Sequence, residues 1–168
     1  MNKTDLVFTS ALQQAKLISS KEISPLELVK IYLERIAQID PKINSYFTVM
    51  AESAIALAEQ QTEFLATNNL PLPPLFGLPI SIKDLNAVQG FPCNYGVAAL
   101  KNNIATFDEG IVTKIKQAGG IILGKSSTSE LGSFPYTEPI GFPPTRNPWN
   151  LDYTSGGSSG GAAAGLAA

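Results

Sequence analysis

The sequence contains no histidine. That absence removes Ser-His and Cys-His nucleophilic catalysis, and with them every His-ligated metal site this chain could build alone. A hydrolase made from these residues needs a different base. Cysteine is nearly absent too: Cys93 stands alone, which excludes an internal disulfide and any CxxC zinc or redox motif. A solitary thiol is expected to be buried, and its isolation suits a reducing compartment. Charge is sparse, at 15% of residues, and sums to −2, with the 12 Lys and Arg scattered along the chain. No basic patch for a phosphate backbone results, so nucleic acid is not an expected partner. No run approaches the roughly 18 apolar residues of a membrane span. Met1-Asn2-Lys3-Thr4-Asp5 leads into a mixed polar stretch without the apolar core of a signal peptide. No membrane partner is expected, and a cytoplasmic location is.

What is present is the composition of an ordinary folded domain: 168 residues, 44% apolar, with 14 Gly and 12 Pro to mark turns. At about 150 residues per domain, one domain is expected. The first third reads helical. Ala11, Leu12, Ala15 and Ile18 share a face between Ser10 and Ser19, with Gln13, Gln14 and Lys16 lying mostly elsewhere. Ser24-Pro25-Leu26-Glu27 carries a capping box with proline at the first helical position. The stripe Leu28, Val29, Tyr32, Leu33, Ile36 and Ile39 follows and is expected to stop at Asp40-Pro41; a third helix covers about Met50 to Leu65. Asn68 to Pro74 is a break, with three prolines between Pro71 and Pro74. Leu78 to Asp84 predicts a short strand ending in two charges, Asp108 caps a helix through Ala118 closed by Gly119 and Gly120, and Ile121-Ile122-Leu123 predicts a buried strand. The fold class is therefore α/β, N-terminal helices followed by part of a mixed β-sheet flanked by helices. Residues 133 to 150, with five prolines, predict a long structured loop, and Ala162 to Ala168 a buried helix.

Three features could carry chemistry. Gly119, Gly124, Lys125 and Ser126 match the nucleotide-binding pattern GxxxxGK[ST]. Ile121 to Leu123 are needed for a strand, however, which would put Lys125 just after a strand instead of at a helix start. The competing reading is a strand edge with a solvated lysine. Ser155 to Gly161 can be a flexible linker, or a turn onto an apolar helix whose first N–H groups face a polarised oxygen. Lys83-Asp84 can be a lysine emerging into solvent beside its neighbour, or a desolvated lysine whose lowered pKa leaves a neutral amine able to take a proton. With histidine missing, a Ser-Lys pair is the nucleophilic scheme these residues make easy.

Gly77 to Asp84, Gly119 to Ser127, Thr145-Arg146-Asn147-Pro148-Trp149-Asn150 and Gly156 to Gly161 resemble, in order and spacing, four successive blocks of the amidase signature family. The separation of 75 residues between Lys83 and Ser158 agrees with that resemblance. It implies amide C–N hydrolysis, or ammonia release from glutamine in amidotransferase members, by a Ser-cis-Ser-Lys triad, without cofactor or metal. By position, Lys83 is then the general base and Ser158 the bridging serine, preceded by a cis peptide bond. The substrate implied is a small-molecule amide. Ala162 and Cys93 depart from the family's usual polar residue and threonine at those places, which bears on substrate preference.

The family's nucleophilic serine lies in a later glycine-rich block whose N–H groups also form the oxyanion hole, whereas this sequence ends ten residues after Ser158. Residues 1–168 are thus expected to be the N-terminal part of a single amidase signature domain, an incomplete amidase signature fold truncated before the nucleophile block, and inactive alone. The alternatives are a non-catalytic remnant, or half of a split amidase or amidotransferase with a complementing C-terminal chain as partner. A P-loop nucleotide-binding protein is a further alternative.

Overall fold

The capping box forms as the sequence dictates. In the computed structural model, which describes residues 3–68 and 70–168, the Ser24 N–H donates to Glu27 Oε2 at 2.9 Å and the Glu27 N–H to Ser24 Oγ at 3.1 Å. The Ser24 hydroxyl, which also donates to Glu27 Oε2 at 2.7 Å, and the Ser24 N–H hold the Glu27 carboxyl below its usual value. Met1, Asn2 and, within the proline-rich break, Asn69 lie outside the described residues. The architecture is α/β, with helices and small sheets. In chain order the elements are α1 (Lys3–Val7), α2 (Ala11–Ser19), α3 (Pro25–Ile43), β1 (Tyr46–Val49), α4 (Ala51–Thr67), β2 (Pro79–Lys83), α5 (Gly110–Gln117), β3 (Ile121–Ser126), β4 (Arg146–Asn147), β5 (Asn150–Thr154) and α6 (Gly160–Ala167).

The strands form a three-stranded sheet ordered β1-β3-β2 and a separate β4-β5 hairpin. β1 runs antiparallel to β3, with Tyr46 opposite Ser126 and Val49 opposite Gly124. The Ile121 N–H donates to the Leu78 carbonyl and the Asp84 N–H to the Ser126 carbonyl, so β2 and β3 ascend together and are parallel. Between them α5 supplies the crossover helix that a parallel pair requires. All six residues of β3 are buried. Gly124 is there because of a close approach, since a Cβ at that position would fall against the Thr48 carbonyl and the Tyr46 ring.

Two compact units emerge. The first comprises Met1–Ile36, Met50–Ile80 and Lys114–Leu123. Its core has one cluster around Ile18, Leu28, Leu65 and Phe76, and another in which Val29 of α3 meets Ala54 and Ala58 of α4 and Ile121 and Leu123 of β3. The two alanines let α4 lie close against the strand. The inward face of α2 differs from the apolar stripe expected: Gln14 and Ile18 are buried, whereas Leu12 is 69% exposed. Gln14 is tolerated inside because its Nε2 donates to the carbonyls of Leu6 and Thr9 and to the Tyr32 hydroxyl.

The second unit comprises Ala37–Val49, Ser81–Thr113 and Gly124–Ala168. Helix α3 does not stop at Asp40-Pro41 but continues to Ile43. Asp40 explains the extra turn: its Oδ1 accepts the Ser45 N–H at 2.6 Å, and its carbonyl accepts the Asn44 N–H at 2.7 Å. β1, which follows, was not expected, nor was the β4-β5 hairpin at the end of the proline-rich loop. Asp108, expected as a helix cap, accepts the Gln89 N–H at 2.8 Å, two residues before α5 begins. Helix α6 is only partly buried, through Gly160, Gly161 and Ala164, and Leu166 is 87% exposed. Among the described residues no helix is long and apolar enough to cross a membrane.

Candidate active site

β2 ends at Lys83, and the turn before α6 carries Ser158; both belong to the second unit. Lys83 Nζ donates to Ser158 Oγ at 2.7 Å. The two residues singled out as site candidates are therefore in direct contact. The Gly157–Ser158 peptide bond is cis. Both side chains are half-buried, and desolvation pulls the Lys83 amine below the ordinary lysine value. When the amine is neutral, the same contact lets the Ser158 hydroxyl donate to Nζ.

The next residue is bonded through every polar group it has. Asp84, wholly buried, takes Lys125 Nζ on Oδ1 at 2.6 Å and the Asn94 N–H on Oδ2 at 2.8 Å. Its own N–H and carbonyl are bound to the Ser126 carbonyl and the Tyr95 N–H. Burial raises the Asp84 carboxyl, while the Lys125 ammonium and the backbone donors pull against that shift. Every polar group of Asp84 is thus engaged, which fixes the backbone from which Lys83 projects. Cys93 is buried beside it, with Sγ 3.8 Å from the Asp84 carbonyl.

Lys125 overturns both readings of the GxxxxGK[ST] match. It is 0% exposed, so it is not a solvated strand-edge lysine. It is also no phosphate-binding lysine: it lies within β3, spends its charge on Asp84 and donates further to the Pro92 carbonyl at 3.0 Å. Gly124 serves strand packing, so no glycine-rich cradle exists there.

The Ser155–Gly161 segment is no flexible linker, because protein oxygens hold it along its length. The Ser155 N–H donates to the Thr145 carbonyl and the Gly161 N–H to the Ser127 carbonyl. Thr137 Oγ1 donates to the Gly156 carbonyl at 2.8 Å and accepts the Gly160 N–H at 3.0 Å. The Ser158 carbonyl accepts from Thr128 Oγ1 at 3.0 Å and from the Ser129 N–H at 3.2 Å. The N–H groups opening α6 do face oxygens, but those of Gly160 and Gly161 are spent on the protein's own Thr137 hydroxyl and Ser127 carbonyl. Lys125 to Ser129 is an unbroken buried stretch. Its one sequence signal is the Ser/Thr run following a buried strand. Among the described residues no group of three His, Cys, Asp or Glu side chains is arranged to hold a metal ion.

The profile of the amidase family matches residues 27–168. The chain belongs to the amidase family. A Synechocystis sp. protein assigned as an amidase is 55% identical over 167 residues, which cover 98% of this chain and 33% of that protein. A glutamyl-tRNA(Gln) amidotransferase subunit from Acidothermus cellulolyticus is 38% identical over 165 residues, 98% of this chain and 32% of that protein. Among solved structures, a bacterial aryl acylamidase of the amidase signature family superposes with a TM-score of 0.86 at 33% identity, covering 94% of this amidase-family chain and 33% of that one. The chain spans about a third of the length of the curated relatives it matches.

Proposed function

We propose that this chain carries part of an amide-hydrolysing site, with Lys83 as general base and Ser158 as the bridging hydroxyl of a Ser-cis-Ser-Lys relay. The observation that carries the reading is the 2.7 Å contact between Lys83 Nζ and Ser158 Oγ. Desolvation of Lys83 enlarges the fraction of neutral amine at a given pH. That amine takes the Ser158 hydroxyl proton while Ser158 takes the proton of the attacking nucleophile. As the tetrahedral intermediate collapses, the relay runs in reverse and the leaving nitrogen receives the proton. The nucleophile in this scheme is a serine outside these 168 residues, accompanied by the N–H donors for the oxyanion. Residues 1–168 are then the N-terminal part of one larger domain, inactive alone. The substrate is a small-molecule amide; the carboxamide of glutamine presents the same bond, so an amidotransferase component falls within the proposal. A cytoplasmic setting belongs to it too and draws on the unpaired, buried Cys93.

The 168-residue chain assayed against simple amides and anilides is expected to give no turnover above buffer. Turnover abolished by Lys83→Ala would refute the external nucleophile. Appending the segment that follows this region in the Synechocystis relative is expected to create activity, and Lys83→Ala or Ser158→Ala then to lower kcat by about 10²- to 10⁴-fold. Undiminished kcat in either variant overturns the role given to that residue.

A second reading, in which a separate complementing chain supplies the nucleophile, draws on Leu166 of α6 and Trp149, 87% and 86% exposed. Apolar side chains so exposed suit a covering partner. Co-purification with the product of the adjacent reading frame, and amidase activity of the mixture only, are its expected results.

A further inference from the structure

A relay hydroxyl works only if it stays in one place, yet Ser158 sits among Gly156, Gly157, Gly160 and Gly161. Such a segment has no side chains to lock into packing and more conformational freedom to lose than any other. Beside the backbone groups of Thr145, Ser127 and Ser129, two buried threonine side chains elsewhere in the second unit anchor it. Thr137, 0% exposed, spans the segment with one hydroxyl, donating to the Gly156 carbonyl and accepting the Gly160 N–H. Those two partners flank Ser158 on either side. Thr128, also 0% exposed, holds the Ser158 carbonyl itself. The fit with Thr137 is mutual, because a Cβ at position 160 would occupy the space of the Thr137 hydroxyl.

We propose that Thr137 is a positioning residue for the Ser158 hydroxyl, clamping the glycine segment on both sides so that Oγ stays within reach of Lys83 Nζ. A threonine that merely filled space would be matched by valine, which has the same shape. Valine lacks the oxygen, however, and leaves the Gly160 N–H and the Gly156 carbonyl without this partner. Serine keeps the oxygen and loses only a methyl group. The clamp rests on the Lys83–Ser158 pairing proposed above, so the experiment reads that pairing directly, without requiring turnover.

The 168-residue chain is prepared with lysine labelled at Cε and Nζ, the Lys83 signal is assigned by its loss in Lys83→Arg, and its position is followed by NMR as pH rises. The neighbouring strand charges, Asp84 and Lys125, pair with each other and are kept in every variant. Ser158→Ala is expected to displace the Lys83 signal and its titration midpoint. Thr137→Val is expected to reproduce most of that displacement with the backbone amide spectrum otherwise retained, and Thr137→Ser to leave Lys83 at its wild-type position. A Thr137→Val spectrum in which Lys83 is unmoved, beside a Ser158→Ala spectrum in which it moves, overturns the clamp and leaves the pairing standing. A Lys83 signal indifferent to Ser158→Ala overturns the pairing, and the clamp with it. Should Thr137→Val give no folded protein, Thr137→Ser and Thr128→Val decide: a wild-type Lys83 signal in the first and a displaced one in the second support the clamp, and a displaced signal in Thr137→Ser or an unmoved one in Thr128→Val overturns it.

Discussion

Lys83 and Lys125 lie near each other in kind and far apart in circumstance. Lys125 has a carboxylate at 2.6 Å and no exposure, so its loss strands the buried Asp84. Lys125→Met is expected to destabilise the chain by about 3–5 kcal/mol, the cost of breaking a buried pair from one side, read from denaturant unfolding. Replacing both partners, as in Asp84→Leu with Lys125→Met, is expected to recover much of that loss; if the double variant is as unstable as the single one, the pair is not what was lost. Lys83 has no such partner, and burial depresses its pKa. Between its folded pKa and the ordinary lysine value of 10.5, the unfolded chain binds the proton and the folded chain does not, so stability rises with pH across that window. Below the folded pKa the penalty of burying the ammonium is present in full. Lys83→Met is expected to remove this pH dependence, measured as the urea midpoint on either side of the window; an unchanged slope would assign it to another group. At the other end of the scale, Ser24→Ala is expected to cost about 1 kcal/mol through the lost cap, again read from the urea midpoint.

At the level of elements, β3 tolerates least. Gly124→Ala would drive a methyl group into the Thr48 carbonyl of β1, so a loss of about 1–3 kcal/mol, typical of overpacking, is expected by calorimetry, with no loss for the helical Gly110→Ala, where the added Cβ meets nothing within 4 Å. Elements that declare themselves locally were legible in the sequence. α3 shows apolar periodicity and its cap, α4 shows a composition rich in Ala, Glu and Gln, and Ile121 to Leu123 form an apolar run too short for a helix. β1 escaped because its four residues lie between two helices, and its pairing with Ser126 and Gly124 is a long-range fact. Gln14 escaped for the opposite reason, since its three acceptors come from α1, the turn after it, and α3. Lys83 and the run holding Ser158 stood out by residue type, and the resemblance of four blocks gave them their roles, while Thr137 and Thr128 carry no motif. Their importance arises only when the loop of residues 133–150 and the stretch after β3 fold against the glycine segment.

The whole chain has one tryptophan, Trp149, and it is 86% exposed. Its fluorescence is expected to be water-like in the folded state, open to quenching by acrylamide and nearly unchanged on unfolding; a blue-shifted, protected emission would mean that something covers the hairpin in solution. Adding a complementing chain is then expected to shift it to the blue if that chain seats there. Neither compact unit is one continuous stretch of sequence: each draws on three, and α3, β2, α5 and β3 each contribute residues to both. A recombination event that exchanges one contiguous block with a related gene therefore cannot replace one unit without also replacing part of the other. Any such crossover mixes parental residues inside at least one of them, so functional chimeras should cluster among parents whose residues are already compatible on both sides of the breakpoint.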